Sequence, residues 1–163
     1  MIDIVLSKTI LDFNAIAQLA NVIWREHYIP IVGKPQVDYM LEKFQSAIAI
    51  ESQVKNGFEY FILNFEKKSV GYIAFNKENN ALFLSKIYIK HDYRGKKIAK
   101  TAIKFAEQKA KLYNLQCIRL TVNINNTNAI KAYKAMGFIN NRELIADIGN
   151  GFVMDDFEMI KYL

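Results

Sequence analysis

The segment best suited to chemistry is a short basic loop between a hydrophobic strand and an amphipathic helix. Arg94, Lys96, Lys97 and Lys100 surround a single glycine, Gly95. The first backbone N–H groups of a helix have no internal acceptor and favour an anion. Basic side chains at a helix start oppose the helix dipole, so this cluster indicates an external anion. The residues predict a diphosphate site, and a solvated surface turn is the alternative interpretation.

The loop resembles the coenzyme A loop of the GCN5-related N-acetyltransferase (GNAT) superfamily. That pattern is Gln or Arg, two residues, Gly, any residue, and then Gly or Ala. Arg94 and Ala99 match its first and last positions, whereas Lys97 stands where the pattern has glycine. We interpret Lys97 as directing its side chain to solvent while its amide still serves the anion.

A second motif of the same superfamily follows the next predicted strand. Asn126, Ala129, Tyr133, Gly137 and Phe138 reproduce the pattern Asn-x-x-Ala-x-x-x-Tyr-x-x-x-Gly-Phe. Two motifs in a strand-helix-strand arrangement are more specific than either motif alone. Without the motif, the same tyrosine would be interpreted as a core residue at helical spacing.

The resemblance implies acetyl-CoA as cosubstrate and assigns residues to it. Ile87, Tyr88 and Ile89 would pair through their backbone with the pantetheine arm, and Asn126 would bond to the same region. Tyr133 would protonate the departing sulfur, since an unperturbed tyrosine pKa of about 10 keeps it a donor at neutral pH. The residues implied to hold the diphosphate are Arg94, Gly95, Lys96, Lys97, Ile98, Ala99 and Lys100.

The general base is left open by the sequence. Many superfamily members carry an acid on the strand that here spans residues 84–88, and this chain has none there. Glu26, His27 and Asp147 are the candidates, and a chain of water molecules is the alternative. The missing acid also keeps open a non-catalytic, regulatory acyl-CoA-binding module.

The acceptor is predicted to be a primary amine of a small molecule. Trp24, His27 and Tyr28 lie in the helical region where the substrate is expected. Asp155 and Asp156 could attract a cationic amine, although a solvated strand edge is the favoured interpretation. The ending at residues 147–159 resembles a bacterial subgroup related to the polyamine acetyltransferase PaiA, which implies a polyamine. A protein or peptide amine is the alternative acceptor.

The elements that position these residues predict an α/β fold. Helices are predicted at residues 13–24, 97–113 and 128–136, with one or two more within residues 36–56, and Asp12 as the first N-cap. A loop is predicted at residues 28–35, which hold both prolines. Strands are predicted at residues 2–6, 58–65, 70–76, 81–90, 117–123, 142–147 and 152–161. The resemblance implies a single-domain GNAT fold over residues 1–163, with a mixed seven-stranded sheet splayed at its centre and flanked by helices.

Composition and charge restrict the remaining classes of function. The net charge is +6, but the lysines are scattered, which favours a solvated surface over a nucleic-acid site. No apolar run reaches the ~18 residues of a membrane span, so we expect a cytoplasmic protein without a membrane partner. No metal is expected, and the single cysteine excludes an intrachain disulfide. The sequence leaves a monomer and a homodimer both open.

Overall fold

A single mixed sheet forms the centre of the molecule. The computed structural model describes residues 1–163. The sheet has seven strands in the order β1-β2-β3-β4-β5-β7-β6. The strands are β1 Ile2–Leu6, β2 Glu59–Phe65, β3 Lys68–Lys77, β4 Ala81–Ile89, β5 Cys117–Asn123, β6 Ile139–Gly149 and β7 Phe152–Tyr162. The predicted mixed seven-stranded α/β architecture is therefore confirmed.

Five α-helices flank this sheet. They are α1 Ile10–Val32, α2 Lys34–Gln45, α3 Ala47–Lys55, α4 Ile98–Leu112 and α5 Thr127–Ala135, and a short 3₁₀ helix spans His91–Tyr93. Ser46 separates α2 from α3, because its side chain accepts a hydrogen bond from the Ala49 N–H as an N-cap. The region predicted as one or two helices therefore contains two.

The first helix is longer than predicted at both ends. Thr9, rather than Asp12, is its N-cap, and Asp12 completes a capping box by accepting from the Thr9 backbone N–H. The loop predicted at residues 28–35 is wrong, since α1 continues through Pro30 to Val32. Proline removes one N–H donor, and here the loss falls in the final turn of α1. Gly33, with a φ of 86°, then separates α1 from α2.

The sheet opens between its two central strands. Strands β4 and β5 run parallel and pair only where Ala81, Leu82 and Phe83 meet Cys117, Ile118 and Arg119. Beyond that short ladder no pairing joins them, whereas β5 pairs with β7 along its whole length. The predicted splay at the sheet centre is thus confirmed, and it leaves one edge of each strand available within the fold.

Two apolar cores lie on opposite faces of the sheet. One core joins α4 to residues such as Leu82, Ile118 and Met159. The other core joins α1 and α2 to residues such as Tyr60, Tyr72 and Ala74. We call these two sides the α4 face and the α1 face. None of the helices combines the length and hydropathy needed to cross a membrane.

Candidate active site

A cleft of about 540 Å³ runs through the splayed part of the sheet. Its walls come from β4, β5, the start of α4, α5 and the end of α1. The predicted site residues that line it are His27, Tyr28, Ile87, Tyr88, Ile89, Arg94, Gly95, Lys97, Ile98, Ala99, Lys100, Asn126 and Tyr133. Of the residues predicted to bind the cosubstrate or to lie in the acceptor region, two do not line it: Lys96 is exposed on the loop, and Trp24 is buried behind the wall.

At one end of the cleft lies a row of main-chain donors without acceptors. The backbone N–H groups of residues 95–100 have no hydrogen-bond partner in the protein, and the helical ladder begins with the Thr101 N–H donating to the Lys97 carbonyl. The side chains of Arg94, Lys97 and Lys100 are exposed beside them. Unpaired N–H groups at a helix start carry partial positive charge, so this end of the cleft favours an anion.

The backbone shape of this loop depends on two left-handed residues. Gly95 has a φ of 77°, and Lys97 has a φ of 63° as the residue preceding α4. Glycine adopts this region freely, whereas a residue with a Cβ is strained there. The superfamily pattern has glycine at the position of Lys97, and this φ supplies a physical reason. The side chain of Lys97 is exposed, in agreement with our interpretation of the sequence.

The edge of β4 that faces the gap offers the main-chain groups of alternate residues. The Lys90 N–H donates to the Val70 carbonyl on the β3 side. Because successive residues of a strand direct their N–H groups to opposite sides, Tyr88 also pairs towards β3, opposite Tyr72. Ile87 and Ile89 are therefore the residues whose backbone groups face the gap. The Arg94 side chain already donates to the Ile89 carbonyl, at 3.3 Å.

His27 and Asn126 connect the two helices that border the cleft. Asn126 caps α5, its Oδ1 accepting from the Ala129 N–H at 3.4 Å. This cap orients the amide, so its Nδ2 donates to His27 Nε2 at 2.9 Å. Burial and the charge of Arg94 lower the pKa of His27, which favours the neutral ring needed to accept this bond. His27 Nε2 is therefore already engaged as an acceptor.

Tyr133 presents a free hydroxyl to the cleft. Its ring packs edge-on against Phe138, with ring centroids 5.7 Å apart, while its hydroxyl forms no hydrogen bond within the protein. Burial, supported by the neighbouring Tyr28, raises the pKa of Tyr133 well above its ordinary value. The hydroxyl therefore keeps its proton at neutral pH and can donate it.

Aromatic rings form the α1-face end of the cleft. The hydroxyl groups of Tyr28 and Tyr88 lie 2.9 Å apart and share a hydrogen bond. Trp24 packs behind both rings, at centroid distances of 5.5 Å and 5.3 Å. Burial raises the pKa of Tyr28 to about 12, and the charge of Asp156 adds to that rise. The hydroxyl groups of Tyr28 and Tyr88 therefore stay protonated at neutral pH.

The candidate general bases are dispersed. Glu26 is exposed and does not line the cleft. Asp147 is exposed at the β6–β7 hairpin, where it accepts from the Gly149 N–H at 2.8 Å. We favoured a solvated strand edge for Asp156, but the structure shows it half-buried. Its Oδ1 is inaccessible to solvent and has no hydrogen-bond partner. This burial depends on the register between β5 and β7, which cannot be predicted from the residues around Asp156 alone.

Sequence reasoning also missed a lysine beside the cleft. Lys86 is half-buried on β4, where its Nζ donates to the Ser85 Oγ at 2.7 Å. It lies opposite Ala74, so it faces α1, and burial lowers its pKa to about 8. The alternation of β4 could have indicated this direction, but an irregularity beside Ala74 shifts the register. No group of three or more His, Cys, Asp or Glu side chains converges as metal ligands.

Three solved structures with the same architecture are acetyltransferases by description. PaiA N-acetyltransferase from Thermoplasma acidophilum, solved with coenzyme A, is 23% identical with a TM-score of 0.81, covering 100% of this chain and 99% of its own. The ribosomal-protein-S18-alanine N-acetyltransferase from Escherichia coli is 16% identical with a TM-score of 0.74, covering 99% and 94%. A chimera of the Vibrio cholerae spermidine N-acetyltransferase SpeG and hSSAT is 20% identical with a TM-score of 0.70, covering 99% and 95%. Identities this low establish the fold that these proteins share with the chain.

The family is established by the sequence itself. The model of the acetyltransferase (GNAT) family matches residues 16–138, which include both motifs and the whole of the splayed region. No protein with a curated description matches the chain by sequence. The fold and the cleft define an acyltransferase that uses a coenzyme A thioester. This chain belongs to the GNAT family and is an acetyl-CoA-dependent N-acetyltransferase.

Proposed function

We propose that this chain transfers an acetyl group from acetyl-CoA to a primary amine of a small molecule, with a polyamine as the leading acceptor. The observation that carries the proposal is the row of unpaired N–H groups at residues 95–100, placed at the mouth of a cleft that crosses the sheet. A GNAT enzyme needs an anion site at this position, and no acceptor within the protein competes for these donors.

Residues 95–100 hold the diphosphate through their main chain in this proposal. Arg94, Lys96, Lys97 and Lys100 add screening charge, and all four side chains are exposed and free of ion pairs. Exposed charges contribute modestly, because solvent and salt screen them. Most of the specificity is therefore assigned to the directed N–H groups.

The pantetheine arm and the thioester occupy the gap between β4 and β5. Backbone groups of Ile87 and Ile89 face that gap, and one of these amides polarises the thioester carbonyl. Asn126 bonds to the pantetheine region through its Nδ2, which is the group now donating to His27. Tyr133 donates its proton to the departing sulfur, a role supported by its free hydroxyl and raised pKa.

The acceptor amine approaches from the α1 face, beside Tyr28 and Tyr88. The choice of a polyamine rests on the resemblance to the PaiA-related subgroup at the chain end. The fold shared with a protein described as a spermidine N-acetyltransferase adds to that choice. Tyrosine rings can hold a cation by their faces, which suits an ammonium group.

The test is a panel of amines with acetyl-CoA and thiol detection. The panel includes spermidine, free amino acids, an aminoglycoside and a peptide with an N-terminal alanine. The proposal expects amine-dependent thiol release that is greatest with spermidine or another small polyamine. Release with the peptide alone would replace the small-molecule acceptor by a protein amine, and no release with any amine would overturn the proposal.

A further inference from the structure

Two acids on one strand face the same side of the sheet but have opposite surroundings. Asp156 and Glu158 lie on β7, and their neighbour Phe157 packs on the α4-face core, so both acids face α1. Glu158 is saturated, because Arg119, Arg142 and Asn141 all donate to it. Asp156 receives no hydrogen bond and no ion pair, although its Oδ1 is fully buried.

An unpaired buried carboxylate is costly to a folded protein. Burial without a hydrogen-bond donor removes the hydration of the carboxylate and gives it no partner in exchange. Accordingly, burial raises the pKa of Asp156 to about 6, and the charge of Asp155 adds to the rise. Glu158 departs in the other direction, since its three donors hold its pKa below the usual range. Such unsatisfied groups concentrate at functional sites.

Asp156 does not itself line the cleft, but it lies next to residues that do. It lies opposite Asn123 on β5, one residue beyond Val122, which lines the cleft. Its charge acts on the hydroxyl of Tyr28, which lines the cleft from α1. Asp156 thus neighbours the β5 wall of the cleft and acts electrostatically on its α1 wall.

We infer that Asp156 is the group that binds the ammonium of the acceptor amine and takes its first proton. This inference rests on the proposed function and names the substrate class at its acceptor end as a cation. The Asp156 carboxylate turns from its closed position towards the cleft and accepts a charge-assisted hydrogen bond from the ammonium, which also meets the faces of Tyr28 and Tyr88. Glu158 cannot serve instead, because its oxygens are already engaged.

The proton balance of the transfer is complete with this residue. One ammonium proton moves to Asp156, and the nitrogen lone pair then attacks the thioester carbonyl carbon. As the C–S bond breaks, the sulfur receives the proton of Tyr133. The new amide nitrogen loses its second proton, which restores Tyr133, and Asp156 releases its proton to solvent. The net products are the acetamide, the free thiol and one proton.

A pH dependence follows from the same assignment. Below about pH 6 Asp156 is protonated and loses its attraction for the ammonium, so kcat/KM falls as pH decreases through that value. The charged or titratable groups on this face are Tyr28 and His27 from α1, Lys86 and Tyr88 from β4, Arg119 from β5, Arg142 from β6 and Glu158 from β7. Asp155, next to Asp156 on β7, faces the opposite side and acts on it through its charge. Of these groups, His27 could produce a similar fall of kcat/KM at acidic pH, which we call the acid limb of the profile. The variants must therefore distinguish His27 from Asp156.

The experiment compares Asp156→Asn with Asp155→Asn, the same change on the adjacent residue that faces the other side of the sheet. Calorimetry of spermidine binding to the coenzyme A complex is the first readout, and kcat/KM from pH 5 to 9 is the second. We expect Asp156→Asn to lose kcat/KM by about 100-fold and to lose the acid limb. Asp155→Asn keeps its activity at pH 8 and shifts the limb to lower pH, because a negative neighbour is removed.

The outcomes separate this inference from the proposed function. If the wild type binds spermidine without turnover, the proposed function is overturned. The calorimetry of spermidine binding to Asp156→Asn then decides whether Asp156 forms the ammonium site. Equal binding and an unchanged acid limb in Asp156→Asn would overturn the inference while the enzyme activity stands. If Asp156→Asn fails to bind coenzyme A, the pH profile of Asp155→Asn decides instead. A fall of kcat/KM at the same acidic pH as in the wild type would then contradict the assignment of Asp156. Absence of any amine binding to the wild type overturns both.

Discussion

The two ends of the cleft differ in the groups that they offer to a ligand. At the anion end, residues 95–100 are consecutive and offer their main chain. At the α1-face end, which we call the amine end, the side chains of Tyr28 and Tyr88 come from two elements, and the acid that we assign to this end, Asp156, comes from a third. The first end is exposed and basic, whereas the second is half-buried and aromatic and has an unpaired acid next to its wall. A cosubstrate common to a family can be bound by the main chain of one short segment. A particular acceptor has to be bound by side chains that come together only in the fold.

The largest effect is expected at Tyr133, where the two ends meet. Tyr133→Phe keeps the packing on Phe138 but removes the proton donor, so kcat should fall about 100-fold with little change in KM for acetyl-CoA. Steady-state thiol release measures both constants. Tyr162→Phe is the control, since Tyr162 is 67% exposed at the end of β7. An unchanged kcat in Tyr133→Phe would remove the assigned acid from the account.

A smaller effect is expected from straining the anion end alone. Gly95→Val places a β-branched residue at a φ of 77°, which costs about 1–2 kcal/mol and distorts the donor row. If that cost falls on the bound loop, the Kd for coenzyme A rises about tenfold.

Gly151→Val is matched to this change, because Gly151 has a φ of 79° and equally open space around its Cβ position. Both variants should lose similar stability in denaturant unfolding, and only Gly95→Val should weaken coenzyme A binding by calorimetry. Equal affinity in the two variants would contradict the difference between this loop and an ordinary turn.

The amine end should show the stability cost of its function. The folded pKa of Asp156 lies above the ordinary value, so its charge destabilises the fold above about pH 6. Asp156→Asn should therefore raise the free energy of unfolding by about 1 kcal/mol at pH 8, after allowance for partial exposure. The gain should disappear as pH falls through 6 towards 4, where the wild-type carboxyl is neutral. Urea unfolding at pH 8 and pH 4.5 measures this, and an equal gain at both values would exclude the buried charge as its cause.

The smallest effect is expected from relieving strain at Lys97. Lys97→Gly removes a Cβ at a φ of 63° and should raise stability by about 0.5 kcal/mol, partly offset by the flexibility of glycine when unfolded. Because the main chain provides the donors, the Kd for coenzyme A should change less than about twofold. Lys67→Gly is the matched control, at a φ of 66° in a distant turn. A large loss of coenzyme A affinity confined to Lys97→Gly would show that the Lys97 side chain, rather than the main chain, binds coenzyme A.

The sequence predicted the loop and the helix start at the anion end because their determinants are local, while anion binding by these residues stays a prediction. The glycine, the basic residues and the helix start all lie within residues 94–100, and the second motif defined α5 with its cap at Asn126. The extent of α1 was missed because Pro30 was interpreted as a break, although it falls in the final turn. The burial of Asp156 and Lys86 could not be predicted, since it depends on strand register and on helices distant in the chain.

The most direct test is to observe the amide groups of residues 95–100 while coenzyme A is added. At 18.8 kDa the protein suits ¹H–¹⁵N correlation spectroscopy. We expect these amide resonances to move furthest, and we expect pantetheine, which lacks the diphosphate, to leave them in place. Large shifts elsewhere with these amides unmoved would contradict the claim that the main chain at the start of α4 holds the cosubstrate.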